Sequence, residues 1–340
     1  MIALAVAFAL QCTYVARESS LANDEAKHLA TGWLLLQNGR CCVGIDNSPL
    51  TAWFALPLLV GPEVPVSTPA LETHGPPDAH AVGREIIFGS SDPEAVILAG
   101  RMMNIVAGVL MLVAAAALAD RLFGPPAGLL ACAVLAFEPN VVAHVGLMST
   151  DSLFVATALA YLLALDRGLK APSARAAIVL GLALGVAIAA KYTGLALVPA
   201  TAALALLYRH EMRTRPWQRW LAETLLALLA ALVVVWAAYG AHVSTTFPFV
   251  SVPGFIGGLA QVKGLVSHGF MAYYDGQTGH HWPTYFLACL ALKTPLPELI
   301  LWMMALAAIT CMIMRGDLGR RLLPMATAAG FLAIDRKSVV

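Results

Sequence analysis

The chain has 340 residues, of which 59% are apolar and only 12% charged, with a formal net charge of +1 and a mean hydropathy of +0.76. A soluble domain averages about 45–50% apolar and about 25% charged residues, so this composition excludes a single water-soluble core and requires lipid to cover the excess apolar surface. With no basic tail and no acidic run, a nucleic-acid partner is not expected.

In chain order, segments apolar enough to span a bilayer fall near residues 1–16, 95–119, 125–144, 152–166, 175–190, 193–208, 220–240, 284–314 and 322–334. The first begins at Met1 without the basic n-region of a signal peptide and is read as a first transmembrane helix. Lys and Arg set the orientation. Eleven of them (Arg121; Arg167, Lys170, Arg175; Arg209, Arg213, Arg215, Arg219; Arg315, Arg320, Arg321) crowd into alternate short connections. The longer connections hold only Arg17, Lys27, Arg40, Arg84 and Lys263. The positive-inside rule puts the first set in the cytoplasm and leaves two long outer segments, 17–94 and 241–283. The expected fold is thus all-α, a polytopic helical bundle in one transmembrane domain over 1–340. The polar run Asp335-Arg336-Lys337-Ser338 cuts the last span short, as at a truncated end.

Within the first outer segment, 22–38 reads as a helix. Asn23 suits the N-cap, Asp24 and Glu25 suit the first turn, and Gly39 suits the stop. Leu29, Trp33 and Leu36 share one face, and Asp24 and His28 lie roughly opposite. This predicts an amphipathic helix resting on the membrane interface with a carboxylate and an imidazole turned away from lipid. Residues 61–93, rich in Pro, Gly, Ser and Thr, read as loop. The cysteines (Cys12, Cys41, Cys42, Cys132, Cys289, Cys311) form neither a CxxC nor a zinc pattern and read as structural.

Several residues stand out as candidates for chemistry. Asp24 and Glu25 are either dipole-complementing first-turn charges or a base beside the membrane. Asp46, in Asp46-Asn47-Ser48-Pro49-Leu50, is a second acid that two-carboxylate chemistry would use, and a divalent metal near Asp24 and Asp46 is possible without any spacing that demands it. Glu138-Pro139-Asn140, His144 and Asp151 lie at an outer turn, where Asp151 doubles as a helix cap. Arg101 and Lys191 are cations at outer ends of apolar spans, placed to snorkel or to hold a phosphate. Lys293, in Leu292-Lys293-Thr294-Pro295-Leu296-Pro297, sits where two prolines break a span.

Together these elements resemble the protein O-mannosyltransferase-like, polyprenyl-phosphate-sugar-dependent glycosyltransferases of the GT-C fold (glycosyltransferase family 39). The matching residues are Asp24-Glu25 with His28, Gly32 and Gly39; Ser48-Pro49-Leu50; Asp92-Pro93-Glu94 with Arg101; Phe123-Gly124 and Gly128-Leu129-Leu130-Ala131; Pro139-Asn140 with Ala143-His144; Thr150-Asp151; Gly181-Leu182 and Gly185 with Lys191-Tyr192; and Tyr285-Phe286 with Lys293-Thr294-Pro295-Leu296-Pro297. They run in order from about residue 20 to about residue 300.

The resemblance implies an integral protein of the bacterial inner (plasma) membrane with its active site on the outer face. There it would move a sugar, with inversion, from dolichyl or undecaprenyl phosphate to a protein or glycan hydroxyl. It implies Asp24 as base, with Glu25 and Asp46 as the other catalytic acids. Arg101, Lys191 and Lys293 would hold the donor phosphate, and His28, His144 and Asp151 would support them. Relatives usually carry His-Pro-Pro or Lys-Pro-Pro where this chain has Asn47-Ser48-Pro49, and they continue past its C-terminus. The alternatives are a transporter or flippase of lipid-linked sugars, against which stands the lack of an internal repeat, and an inactive, truncated relative.

Overall fold

The computed structural model describes residues 1–38, 48–65, 78–207, 216–241, 253–268, 271–274, 276–279, 282 and 284–314. Asp46, the 322–334 segment and the polar tail lie outside the described residues. The architecture is all-α, with a single two-stranded antiparallel ribbon among the described residues, β1 (Ala272–Tyr274) and β2 (Gln277–Gly279).

The first half runs α1 (Ile2–Glu18), α2 (Asn23–Asn38), a short helical segment over Pro49–Leu59 that includes α3 (Ala52–Ala55), α4 (Ala79–Phe88) and α5 (Pro93–Phe123). The 31-residue α5 is delimited by local chemistry. Asp92 caps it, its carboxylate accepting the Ala95 N–H at 3.0 Å, Pro93 opens its first turn, and Gly124 ends it at φ +93°, where a side chain would be strained.

The chain then folds into α6 (Pro125–Phe137) and α7 (Pro139–Val145), bent by 66° across Glu138, so that the segment expected as one span over 125–144 is two helices. The break follows from Glu138-Pro139: proline cannot donate into the α6 ladder, and the Glu138 carboxylate accepts the Val141 N–H to start α7 anew. Next come α8 (Thr150–Lys170), α9 (Ala174–Ala190), a 3₁₀ turn (Tyr192–Ala196), α10 (Leu197–Leu207) and α11 (Trp217–Ala238). Beyond these lie α12 (Pro253–His268), the ribbon, α13 (Tyr285–Lys293) and α14 (Leu296–Met314). The helix stops between Lys293 and Leu296, where Pro295 denies it a donor.

Among the described residues α5, α8 and α11 are long and apolar enough to cross a membrane, and the bent pair α6–α7 is apolar enough only when its two helices are taken together. α9, at 17 residues, is a shorter apolar helix. α5 packs against α1, α6 and α8; α8 packs against α9; and α9 packs against α11. Large apolar side chains such as Val106 and Leu110 on α5, and Leu225 and Leu229 on α11, are exposed, as lipid-facing positions require. This is an integral membrane protein.

Small residues let the α9–α11 backbones approach. A Cβ at Gly181 would lie 2.1 Å from the Ala227 carbonyl oxygen, and one at Gly185 would lie 2.7 Å from that of Ala231. Such a Gly-xxx-Gly face is how helices gain dispersion contact where lipid offers no hydrophobic drive. Gly181→Val should therefore lower the thermal midpoint of the detergent-solubilised protein by several degrees. Leu182→Ala, on an exposed position of the next residue, should stay within roughly 0.5 kcal/mol of the parent. Equal midpoints for both variants would remove this contact from the stability of the bundle.

The amphipathic helix read from 22–38 is α2. Its Leu29 and Trp33 do not rest on lipid but are buried with Phe54, Val82, Ile86 and Ile87 of the 49–59 segment and α4. The reason is α4 itself, which falls inside a stretch read as loop. Asp78 caps it by accepting the His80 N–H at 2.9 Å, and its apolar stripe covers that of α2. Gly83 permits the crossing, since a Cβ there would sit 2.0 Å from the Ala26 carbonyl oxygen.

Candidate functional site

Polar side chains gather at the two ends of the bundle. Asp151 and Asp166 on α8 are separated by roughly 22 Å at helical rise. At the Asp166 end its carboxylate, wholly buried, meets Arg121 at 2.8 Å and Lys170 at 3.0 Å. This is the end the basic residues assign to the cytoplasm, and the cluster joins α5 to α8.

The opposite end holds the residues singled out above. Glu25 and Arg101 are 1% and 2% exposed and form a two-pronged ion pair, with Nε to Oε1 at 2.8 Å and Nη2 to Oε2 at 2.7 Å. The remaining three N–H groups of Arg101 donate to the carbonyls of Ala16, Ser19 and Ser20 at 2.7–2.8 Å. Glu25 in turn accepts the Ala22 N–H at 2.7 Å, closing the first turn of α2, and the Met148 N–H at 2.8 Å. All five guanidinium donors are engaged. Arg101 and Glu25, expected as a phosphate clamp and a catalytic acid, are buried against each other in this structure. Each is the other's partner, and together they tie the end of α1, α2, α5 and the α7–α8 connection.

One turn further along α5, Asn104 performs a similar task. Fully buried, its amide nitrogen faces the carbonyls of Leu147, Val145 and His144 at 2.5, 3.1 and 3.2 Å. It fixes the connection between His144 and Asp151. Sequence reading passed over it, although a carboxamide within an otherwise apolar span is a signal.

Asp24, adjacent to Glu25 on α2, is exposed. Successive helical residues point about 100° apart, so the pair divides, one side chain entering the core and the other facing out. His28 lies one turn after Asp24 and packs against Phe54 with ring centroids 6.2 Å apart. Asp24, Lys27, Asp151 and Lys191 all lie within electrostatic reach of its ring. Burial lowers the His28 pKa to about 4, with Asp24 pulling it up and Lys27 pulling it down, so at neutral pH the imidazole is uncharged.

Lys191, at the C-terminal end of α9, forms an ion pair with Asp151 at the start of α8; the two are 38% and 57% exposed. Asp151 is free to do so because Ser149 takes the capping role expected of it, its hydroxyl accepting the Asp151 N–H at 3.2 Å. His144 is exposed at the end of α7, within reach of Asp151's charge. Lys293 is also exposed. It joins this end through its backbone, the Asn140 amide donating to its carbonyl at 2.9 Å, one turn of α7 before His144.

α2, the α7–α8 connection and the end of α9 thus bring Asp24, His28, His144, Asp151 and Lys191 to one end of the bundle. Among the described residues no group of three or more His, Cys, Asp or Glu side chains is disposed to hold a metal. The metal expectation rested on Asp24 with Asp46, and Asp46 lies outside the described residues.

Fold and polar distribution define the class, an all-α polytopic membrane protein with a cluster of acid, base and cation at one end. Residues 87–239 match the family model described as dolichyl-phosphate-mannose-protein mannosyltransferase. The match supports the family the motifs resemble, and with it a membrane glycosyltransferase of mannosyltransferase-like class. It includes Arg101, Asn104, Asp151 and Lys191 but not α2. Among curated proteins, none matches the chain.

Proposed function

We propose that the chain transfers a sugar from a polyprenyl-phosphate donor, dolichyl or undecaprenyl, to an acceptor hydroxyl at the outer face of the bacterial inner membrane. Asp24 serves as general base. The observation that carries this reading is the placement of exposed Asp24 one turn from His28, which lies within reach of the Asp151–Lys191 pair. An acid and a cation then share one end of the bundle, as transfer from a phosphate ester requires.

In the step proposed, the acceptor hydroxyl gives its proton to Asp24 as its oxygen bonds to the anomeric carbon. The bond from that carbon to the donor phosphate oxygen breaks, and polyprenyl phosphate leaves with the electron pair. Lys191 meets the phosphate charge. Its present partner Asp151 does not prevent this, because exposed ion pairs contribute only about 0–1 kcal/mol and exchange readily. Lys293 is a second cation on the same side, and a protein or glycan hydroxyl is the acceptor.

The test is incubation of the purified protein with labelled polyprenyl-phosphate sugars and a panel of peptide and glycan acceptors. Label appearing on an acceptor is the expected result. Label that crosses a vesicle bilayer without being transferred would replace this reading with a flippase.

Two further outcomes follow. Lys191→Ala removes a charge-assisted contact to phosphate and should raise the donor KM by about 10- to 150-fold with little change for the acceptor; an unchanged donor KM would take Lys191 out of the phosphate site. The orientation predicts that, in a background without the native cysteines, Thr278→Cys is labelled by an impermeant maleimide from outside intact cells. Arg175→Cys should be labelled only after lysis, and the reverse pattern would invert the topology.

A further inference from the structure

His28 holds a chemical position that the roles of Asp24 and Lys191 leave unused. Its Nδ1 is buried and has no hydrogen-bond partner among the described residues. Orphaned buried N–H groups are rarer in folded proteins than under-satisfied acceptors, which favours the tautomer whose buried, unpartnered nitrogen is the bare one. The proton of the neutral ring therefore belongs on Nε2, the nitrogen that is not among the buried, unpartnered atoms. Phe54 lies against the ring at 6.2 Å between centroids, the two planes tilted by 41°, and limits its rotation. α2 sets the direction, because residues four apart share a helix face and Asp24 is on that face. Burial keeps the ring uncharged at neutral pH. The result is an oriented, neutral N–H donor beside the base and within the field of the Asp151–Lys191 pair.

We propose that His28 reads the transferred sugar, its Nε2–H donating a hydrogen bond to a hydroxyl oxygen of the pyranose ring next to the anomeric carbon. This inference rests on the transferase reading and adds to it the residue that selects among sugars. A neutral donor suits the task. A cation there would compete with Lys191 for the phosphate and would pair with Asp24, tying up the base. A polar neutral contact discriminates by leaving an unmade bond when the hydroxyl is missing or turned to the other face of the ring.

Two variants separate this role from simple packing, because they predict opposite results. His28→Phe keeps a ring against Phe54 and removes the donor. His28→Gln gives up the ring and returns an N–H near the Nε2 position. Transfer is measured with the parent donor and with donors deoxygenated singly at each ring hydroxyl. The wild-type protein should lose roughly 3- to 10-fold in kcat/KM for one deoxy donor, the yield of a neutral hydrogen bond. His28→Phe should show that loss with the parent donor and no further loss with the deoxy one, whereas His28→Gln should keep most of the discrimination.

If His28→Phe retains wild-type kcat/KM and wild-type discrimination while His28→Gln falls, the ring is a packing element and the proposal is overturned. If the wild-type protein moves no sugar from any polyprenyl-phosphate donor, the transferase reading fails first. That outcome is visible in the wild-type control before either variant is assayed.

Discussion

Arg101→Met should be among the most destabilising single substitutions in this chain, costing about 3–5 kcal/mol and lowering the thermal midpoint of the detergent-solubilised protein accordingly. The substitution leaves the Glu25 carboxylate buried without its counter-ion, and it strips donors from the carbonyls of Ala16, Ser19 and Ser20. Glu25→Met should cost a similar amount by leaving the guanidinium uncompensated. The double variant should recover part of the loss, since no unpaired charge remains, but only part, since the three carbonyls still face apolar side chains. A midpoint equal to wild type in Arg101→Met, accompanied by a weakened donor KM, would instead return Arg101 to the phosphate.

That pair also shows what was and was not legible in the residues. Three of the nine expected spans were, because hydropathy over some 20 residues is a sum to which every residue contributes. α5, α8 and α11 lie where the apolar runs lie. So was the break at Pro295, which is local chemistry, whereas the bend at Pro139 fell inside a segment read as one span. What could not be read was pairing. A cation within an apolar span signals that a partner exists, and for Arg101 a donor phosphate was the expected one. The partner is Glu25, 76 positions earlier, and no periodicity connects them.

Asp151 and Lys191 were each singled out, but their contact across 40 positions depends on α8 and α9 packing side by side. α4 was missed because its capping Asp78 follows a run of Gly and Pro, and because ten residues are too few for a strong periodic signal. The resemblance and the family match over 87–239 support a class of chemistry without fixing the sugar, since ring hydroxyls are distinguished by single hydrogen bonds rather than by folds.

Asp24 and Glu25 present the sharpest case of this limit, and the largest expected effect on turnover. Two adjacent carboxylates at a helix start are equivalent by propensity. Their environments separate them, Glu25 being 1% exposed with four hydrogen bonds accepted and Asp24 exposed. Only the second is open to an acceptor hydroxyl, and the base assigned by proposal is therefore Asp24. Asp24→Asn keeps size and first-turn compatibility, so α2 should form and donor binding should persist, while the carboxylate's basicity is lost. Turnover should fall by about 10²-fold or more, the usual contribution of a positioned general base, with the donor KM nearly unchanged. Glu25→Gln divides the two readings from the other side. It should lower the thermal midpoint before it lowers kcat, because the buried ion pair to Arg101 holds four chain segments. The two variants are assayed at matched folded fraction, scored by size-exclusion chromatography. Near-normal turnover in Asp24→Asn, with a 10²-fold loss in fully folded Glu25→Gln, would move the base to Glu25 and require that the buried pair open during the reaction.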